Sequence, residues 1–434
     1  MFKYIFLVFS ILFICLSCNN NASKEKPQNT AIERIGTQEP SEAEKIENAV
    51  FSDKNFYIQD INYYWLNSYY IKELLELKNI ETLEIGSDAP KDLSFLNNLE
   101  QLKKLIVYAS YSEEMIESLI NVYNLLNLEI LKVECYNRLK NLDFLKNFTH
   151  VKSLIIFCSG RGDRVVNTNA LRLMNNLEYL EIAGGGITIT DNSLFSGMKK
   201  LKELEWRAYD IKNTLDEKEL FNLPNLESLR LKGYIFFSKP DSYNLDINKI
   251  ILSLPNLRKL WISDVKEYYD ITNIVTLKNL EELTIFLNND HKPRPDSIDL
   301  TYLGTLEKLK KLSVNCVNIN SIVNLKNPNL EYLSLSNYWQ RPEINFNLLS
   351  GLKNLKSLNL NSVKVNDVRP LLEFPNLEDV HFDLYVEYTD ISPLAESNTI
   401  KKIEIWGDYY RSVIPVELFE NRGIILNINY PGKE

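Results

Sequence analysis

The hexapeptide LKSLNL at residues 355–360 determines the fold of this chain, because its spacing of apolar residues recurs along most of the sequence. It reads apolar, two polar, apolar, one polar, apolar, with Leu355, Leu358 and Leu360 at the apolar positions. The central apolar residues of the fourteen copies are Leu83, Leu105, Leu131, Leu154, Leu180, Leu204, Leu229, Leu260, Leu283, Leu312, Leu333, Leu358, Val380 and Ile403. Their mean period of about 25 residues is typical of a solenoid of stacked repeats.

Each copy predicts a short β-strand. Its second and third apolar residues are two positions apart, so their side chains lie on one face of an extended segment. One copy cannot enclose these side chains alone, but neighbouring copies cover them when they stack side by side. The pattern therefore predicts an α/β fold with a parallel sheet on one wall, while the rest of each repeat returns along the other wall.

The segments between the strands predict short helices and turns. Residues 112–120 combine a capping serine, early acidic residues and apolar residues at helical spacing, and residues 216–221 show a similar pattern. The shorter segments 367–371 and 390–394 favour 3₁₀ helices or irregular turns. The glycines at 184–186 follow a strand but lack the spacing of a dinucleotide site, so they are predicted to form a turn.

The segment from Leu358 to Leu371 resembles the repeats of bacterial internalins, and this resemblance to leucine-rich repeat proteins covers residues 80–410. It implies a curved, right-handed solenoid with the parallel sheet on its concave face and with short helices, 3₁₀ helices and irregular turns on its convex face. It also implies a protein that binds another protein, or less readily a glycan, through the concave face without catalysis or a cofactor. The partner would be a host or neighbouring-cell surface protein in an adhesin-like role.

The chain departs from that family five residues after the central apolar residue. Asparagine is expected there, but most copies carry valine or tyrosine instead, as at Val317, Val363 and Tyr209. We therefore expect other groups to satisfy the carbonyls of the turns.

The N-terminal segment is typical of a secreted bacterial protein. Lys3 precedes an apolar run that ends at Leu16 and is too short to span a bilayer, and Ser17-Cys18 resembles the end of a lipoprotein signal. We expect residues 1–18 to be this signal, with a lipid on Cys18 that anchors the chain in the cell envelope. An ordinary cleaved signal and an uncleaved anchor are the alternatives.

The segments that flank the repeats have different compositions. Residues 19–50 are polar and without a period, which predicts a disordered tether. Residues 51–79 are rich in Tyr, Trp and Leu, and residues 411–434 carry a late apolar run, so we expect them to cap the two ends of the stack.

The charges exclude some classes of function. The chain has 49 Lys and Arg and 58 Asp and Glu, which are interleaved, and its net charge of −9 argues against a nucleic-acid-binding face. The three histidines, His150, His291 and His381, lie in different repeats without Glu or Cys at ligand spacing, which argues against a metal site. No catalytic set of side chains falls on neighbouring repeats, so we expect a monomeric binding protein and no enzyme.

Two cysteines occupy equivalent positions in successive repeats. Cys135 and Cys158 each lie four residues after the central apolar residue. Equivalent positions on adjacent strands are about 4.8 Å apart, within the range that a disulfide accepts. A disulfide and a pair of buried thiols are both compatible with this placement, and Cys316 occupies the same position without a neighbour.

The strand side chains that alternate with the core residues form the candidate binding face. Tyr, Trp and Arg, which dominate protein interfaces, are frequent among them. The candidate contact residues are Tyr108, Phe157, Tyr179, Arg207, Arg230, Trp261, Phe286, Tyr332, Trp339 and Trp406. Recognition of a protein partner is the predicted function, and a structural or assembly scaffold within the envelope is the alternative. Aromatic residues that merely cover one another on the sheet would fit the scaffold.

Overall fold

The described part of this computed structural model consists of residues 74–75, 80–86, 89–109, 112–136, 139, 141–158, 167–189, 191–211, 216–232, 246–263, 272–286, 300–315, 325–337, 343–383, 390–406 and 416–429. They belong to one compact unit that the chain forms from Ser41 onward. Every structural statement below concerns these residues. Cys18, His291, Cys316 and Trp339 lie outside them, as do the predicted signal and tether at 1–50 and, apart from residues 74–75, the predicted N-terminal cap at 51–79.

Fifteen strands form one parallel sheet in chain order, so each strand pairs with the strands of the preceding and following repeats. The strands are β1 (Thr82–Ile85), β2 (Lys104–Tyr108), β3 (Ile130–Cys135), β4 (Ser153–Cys158), β5 (Tyr179–Ile189), β6 (Glu203–Ile211), β7 (Ser228–Lys232), β8 (Lys259–Ser263), β9 (Glu282–Phe286), β10 (Lys311–Asn315), β11 (Tyr332–Ser336), β12 (Ser357–Asn361), β13 (Asp379–Asp383), β14 (Lys402–Trp406) and β15 (Ile425–Asn429). The fourteen sequence copies supply β1 to β14, with their central apolar residues directly opposite one another, as in Leu333↔Leu358.

The apolar residues of the repeat form the core. The central residues Leu105, Leu312 and Leu358 are fully buried, and the apolar residues at all three positions of every copy belong to one hydrophobic cluster. Trp206 replaces an aliphatic residue at the third position, is only 1% exposed, and packs edge-on against Phe195 with ring centroids 5.5 Å apart. The predicted inward orientation of the repeat leucines is therefore confirmed.

The opposite wall contains short helices. The α-helices are α1 (Glu113–Ser118), α2 (Glu217–Leu220), α3 (Ile247–Leu252) and α4 (Val416–Glu420). The 3₁₀ helices are Ser94–Asn98, Leu119–Asn121, Asp143–Asn147, Asn169–Leu173, Thr272–Thr276, Thr301–Thr305, Phe346–Leu349, Arg369–Glu373 and Ser392–Glu396. Ser112 caps α1 by accepting a hydrogen bond from Met115 N, and Asp216 caps α2 in the same way. The helices predicted at 112–120 and 216–221 are confirmed, as are the 3₁₀ turns near residues 370 and 393.

The turn predicted at Gly184–Gly186 is wrong. Strand β5 continues through these glycines to Ile189, with a shift in its pairing to β6 between Gly184 and Thr188. Gly184 has φ +115°, a conformation that side chains other than hydrogen rarely permit. Glycine therefore allows the backbone to bulge and remain paired rather than to turn away.

A row of asparagines satisfies turn carbonyls at the edge of the sheet where the strands begin. The side-chain amide of Asn225 donates to Lys199 O at 2.9 Å, and that of Asn256 donates to Pro224 O at 2.8 Å. The row consists of Asn127, Asn176, Asn225, Asn256, Asn329, Asn354 and Asn376, each bonded to a carbonyl of the preceding repeat. Each of these asparagines lies one residue before a repeat begins, at the edge of the sheet opposite the turns in which the family's asparagines are expected.

At the C-terminal end, β15 pairs in register with β14 and extends the sheet into the segment assigned to the cap. Ile424 is buried, whereas Ile425 is 59% exposed. Among the described residues, no helix has the length and apolar character that a membrane crossing requires.

Candidate functional site

The face of the sheet opposite the core carries three columns of side chains that run across the strands. On β7, β9 and β14 the two core residues are buried, and the residues before, between and after them are partly exposed. We call these residues the inner face and divide them into first, middle and third columns. The middle column contains Glu84, Ile106, Lys132, Ile155, Glu181, Glu205, Arg230, Trp261, Thr284, Ser313, Ser334, Asn359, His381, Glu404 and Asn427.

Nine of the ten candidate contact residues lie on the inner face and are partly exposed there. Tyr179 and Tyr332 belong to the first column, and Arg230 and Trp261 belong to the middle column. The third column contains Tyr108, Phe157, Arg207, Phe286 and Trp406. Their role in contact with a partner remains a prediction.

A chain of polar side chains crosses strands β5 to β7 of the inner face. The Tyr179 hydroxyl donates to Glu181 Oε2 at 3.1 Å, and Glu181 also accepts from the Arg207 guanidinium. Arg207 Nε lies 2.7 Å from Glu205 Oε1, and Arg230 Nη1 lies 3.4 Å from Glu205 Oε2. Neighbouring strands thus fix one another's side chains before any partner is bound.

Arg230 extends this chain to β8, because its guanidinium carbon lies 5.2 Å from the centroid of the Trp261 ring. This distance is within the range of a cation–π interaction. We call Tyr179, Glu181, Glu205, Arg207, Arg230 and Trp261 the central cluster.

Burial affects the protonation of the central cluster. It raises the pKa of the Glu181 carboxyl, and the Glu205 carboxylate raises it further, while Arg207 opposes both effects. Burial and the carboxylates of Glu181 and Glu205 also raise the pKa of the Tyr179 hydroxyl, which stays a neutral donor. The cluster consequently combines an aromatic ring, a hydroxyl, two carboxyl groups and two guanidinium groups.

A second, smaller cluster lies on β2 to β4. Lys132 Nζ is 5.5 Å from the centroid of the Tyr108 ring and 2.7 Å from Glu134 Oε1. The rings of Tyr136 and Phe157 meet edge-on at 6.4 Å. Aromatic rings here pack against neighbouring side chains, as expected if they only cover the sheet. Tyr136 nevertheless keeps 37% of its surface exposed to solvent.

A third cluster surrounds Glu404 on β14. Trp406 Nε1 donates to Glu404 Oε1 at 3.1 Å, Lys402 Nζ lies 3.2 Å from Glu404 Oε2, and His381 Nδ1 lies 4.0 Å from Oε2. Burial opposes ionisation of Glu404, but the hydrogen bonds from Trp406 and Lys402 outweigh it and lower the pKa of the carboxyl. Burial lowers the pKa of His381, which favours the neutral imidazole.

Between these clusters the middle column is neutral and polar, with Thr284, Ser313, Ser334 and Asn359 on four successive strands. Asn359 and, in the third column, Asn315 are 4% and 3% exposed, and within the described residues neither Oδ1 atom has a hydrogen-bond partner. None of these residues was among the contact residues predicted from the sequence. Their signal was a run of four small, neutral, polar side chains between Trp261 and His381 in the middle column.

Cys135 and Cys158 lie directly opposite each other on β3 and β4, with their Sγ atoms 3.5 Å apart. Both are buried thiols in this structure. The Cys135 thiol and burial raise the pKa of Cys158, which disfavours a thiolate. A disulfide between them remains a prediction. In the described ranges no three His, Cys, Asp or Glu side chains come together as metal ligands would.

Comparisons with known proteins concern the whole repeat array. No protein-family model and no curated protein matches the chain. An internalin from Listeria monocytogenes is 17% identical, with 79% of this chain and 94% of that chain covered and a TM-score of 0.43. A leucine-rich repeat protein from Leptospira interrogans is 18% identical, with coverages of 91% and 100% and a TM-score of 0.48.

TLR13, solved in a complex with ssRNA13, is 16% identical, with 82% of this chain and 55% of that chain covered and a TM-score of 0.50. Identities this low show similarity of fold alone. Fifteen parallel strands in chain order, a core made by the repeat leucines and short helices on the opposite wall establish that the chain is an α/β leucine-rich repeat solenoid.

Proposed function

We propose that this chain is a non-enzymatic recognition protein that binds a protein partner through the inner face of its sheet. The observation that carries this proposal is the central cluster, in which Arg230 contacts both Glu205 and the Trp261 ring. Trp, Tyr and Arg supply most of the binding energy in protein interfaces. Side chains that are already held in place lose less conformational entropy on binding, so they contribute more to affinity.

The distribution of charge favours a protein over a nucleic acid. TLR13 is solved with ssRNA13, but the inner face of this chain places Glu181, Glu205 and Glu404 among its cations. A phosphate backbone is attracted by a continuous basic surface, which this arrangement does not provide. Alternating charges with exposed aromatic edges suit a folded protein of mixed charge.

Attachment to a membrane is the second part of the proposal and depends on the sequence alone. A lipid on Cys18, followed by the tether at 19–50, would hold the repeats near the surface of a bacterial envelope. With the flexible-chain relation, some 32 residues give a typical reach of roughly 30 Å. This placement is compatible with an adhesin-like role toward a host or neighbouring cell.

Binding is tested with the full chain immobilised in mild detergent and exposed to surface proteins from host or neighbouring cells. Retained proteins are quantified by mass spectrometry for wild type and for the double variant Arg230→Ala, Trp261→Ala. The matched control is Arg369→Ala, which removes an arginine that is 71% exposed on the helical wall. We expect the double variant to lose about 2 kcal/mol or more of affinity, and the control to retain wild-type binding. Equal retention by all three proteins would contradict the assignment of the inner face.

Anchoring is tested independently by growing cells with a fatty-acid analogue that can be labelled. Wild type should incorporate the label, and Cys18→Ser should not. Label on the serine variant would show that another residue carries the lipid, and no label on either protein would favour an ordinary secretory signal.

A further inference from the structure

One position of the repeat carries charges of strictly alternating sign. It is the residue directly after the first apolar residue of each copy, one position before the strand begins. We call these residues the entry row: Glu81, Lys103, Glu129, Lys152, Glu178, Lys202, Glu227, Arg258, Glu281, Lys310, Glu331, Lys356, Glu378 and Lys401. Every glutamate in the row has a lysine or arginine as its neighbour in the adjacent repeats.

The backbone holds the entry row at a fixed spacing. The carbonyl of Glu81 accepts hydrogen bonds from Lys103 N at 2.8 Å and from Lys104 N at 2.9 Å. The same pair of bonds links each later member of the row to the next, and Lys401 O accepts from Ile425 N at 2.9 Å. The charges therefore follow the spacing of the strands, about 4.8 Å, along one edge of the sheet.

Within the chain, glutamates of the entry row pair with neighbouring cations. Lys152 Nζ lies 2.7 Å from Glu129, and Lys202 Nζ lies 3.2 Å from Glu178. Arg258 lies 3.5 Å from Glu227 and 3.0 Å from Glu281. The side chains of Arg258 and Glu227 nevertheless remain 46% and 47% exposed, so the row still presents its charges to the solvent.

The same edge has recesses. A groove of about 860 Å³ is lined by entry-row members from Glu178 to Glu281 and by the asparagine row, and a second groove of about 440 Å³ continues from Glu281 to Lys356. This edge is therefore recessed as well as charged.

The entry row can pair with a second, antiparallel copy of itself so that opposite charges face each other along its whole length. The row has fourteen members and starts with a glutamate but ends with a lysine, so reading it backwards exchanges every sign. When two copies are related by a two-fold axis between Glu227 and Arg258, each entry-row residue of one copy faces an entry-row residue of opposite charge in the second copy. The pairs are Glu81 with Lys401, Lys103 with Glu378, Glu129 with Lys356, Lys152 with Glu331, Glu178 with Lys310, Lys202 with Glu281, and Glu227 with Arg258.

In place of the monomer expected from the sequence, we propose that the entry row is a homodimer contact, in which two copies of this chain meet edge to edge around this two-fold axis. Closed two-fold dimers are the commonest oligomers, and their contacts are self-complementary in this way. Thirteen strand spacings and a contact width of about 10–12 Å give roughly 1,400 Å² in total, which lies within the range of about 1,200–2,000 Å² of specific interfaces. The inner faces of both copies remain uncovered.

Neutralisation within each chain is the competing explanation, because alternation also keeps like charges apart between adjacent repeats. The variant Glu178→Lys, Lys202→Glu distinguishes a dimer contact from neutralisation within one chain. It preserves the ion pair between 178 and 202 inside the chain, but in the dimer it places lysine 178 opposite Lys310 and glutamate 202 opposite Glu281. Adding Glu281→Lys and Lys310→Glu restores opposite charges across the dimer, although it disturbs the order of signs within each chain further.

The association of the full chain in mild detergent is measured by sedimentation velocity at low and high salt. We expect wild type to dimerise and to dissociate as salt rises. The two-residue variant should dimerise about tenfold more weakly or worse, and the four-residue variant should recover. A wild type that stays monomeric at low salt, or a two-residue variant that matches wild type, overturns the proposal. Thermal unfolding of all three proteins confirms that each is folded.

A zero-length carbodiimide cross-link between carboxylate and amine identifies the contact itself. Glu178 and Lys310 lie five strands apart, roughly 24 Å within one chain, so a direct link between them requires two copies. We expect this link in the cross-linked dimer of wild type. A dimer that yields only the links between neighbouring repeats, such as Glu178 with Lys202, would place the contact elsewhere and overturn the proposal.

Discussion

Replacement of Gly184 by alanine should destabilise this protein more than the same change at Gly423, although both glycines have positive φ. Gly184 has φ +115° and packs against the backbone of Cys158 at the end of β4. An added Cβ would lie 1.6 Å from the carbonyl oxygen of Cys158 and 2.3 Å from its carbonyl carbon. Gly423 has φ +70°, and a Cβ there would meet no atom within 4 Å.

The two substitutions separate backbone strain from steric overlap. A side chain at positive φ costs about 1–2 kcal/mol, and both variants incur this cost. At Gly184 the overlap is with backbone atoms of a paired strand, so β4 and β5 must move apart, at a further cost of about 1–3 kcal/mol. We therefore expect the free energy of unfolding to fall by about 2–5 kcal/mol for Gly184→Ala and by about 1–2 kcal/mol for Gly423→Ala.

Urea unfolding followed by far-ultraviolet circular dichroism measures the difference. Tryptophan fluorescence reports on the nearby core, because Trp206 on the adjacent strand β6 is buried. A repeat array can lose cooperativity, so the slope of each transition must be compared together with its midpoint. If Gly184→Ala lowers the midpoint no further than Gly423→Ala does, the close approach of Gly184 to Cys158 is not a constraint on this fold.

Three further predictions concern pH, thiols and the asparagine row. Burial lowers the pKa of His381 in the folded chain, so below about pH 6.5 the unfolded chain binds the proton more readily and the free energy of unfolding falls. In His381→Gln the urea midpoint should therefore drop less between pH 7 and pH 5 than in wild type. An equal drop in both proteins would contradict this prediction. The thiols of Cys135 and Cys158 should resist a thiol reagent in the folded protein and react after unfolding, whereas failure of both to react in denaturant would reveal a disulfide. Asn256→Ala removes the hydrogen bond to Pro224 O and should lower the free energy of unfolding by about 1 kcal/mol, so an unchanged urea midpoint would show that water replaces the amide.

The repeat spacing was sufficient to predict the strands and their pairing. A strand that slipped by one residue would turn its core leucines toward the solvent, so the spacing of Leu355, Leu358 and Leu360 leaves one register. The helix at 113–118 was predictable for a local reason, since Ser112 caps it and acidic residues occupy its first turn. The fifteenth strand was harder to predict, because its sequence lacks the full repeat pattern of three apolar residues. It joins the sheet by pairing with β14.

Other features required the structure because they depend on contacts between repeats. The glycines at 184–186 have the composition of a turn, and only the neighbouring backbone of Cys158 explains why they continue the strand. The asparagine row was visible in the sequence, but nothing within one repeat showed that each amide reaches a carbonyl of the preceding repeat. The positions of Trp261 and Arg230 on the inner face followed from alternation along the strand, whereas their contact with each other depends on the pairing of β7 and β8.

The sign of the charge in the entry row repeats every two units rather than every unit, which makes a pair of repeats the smallest interchangeable block of this chain. Excision of the single unit that contains Lys202 would bring Glu178 beside Glu227, whereas loss of two adjacent units would leave opposite signs in contact. Duplications and deletions in the ancestry of this chain should therefore have been tolerated in blocks of about 50 residues. A shortened version for laboratory use should likewise be cut by an even number of units.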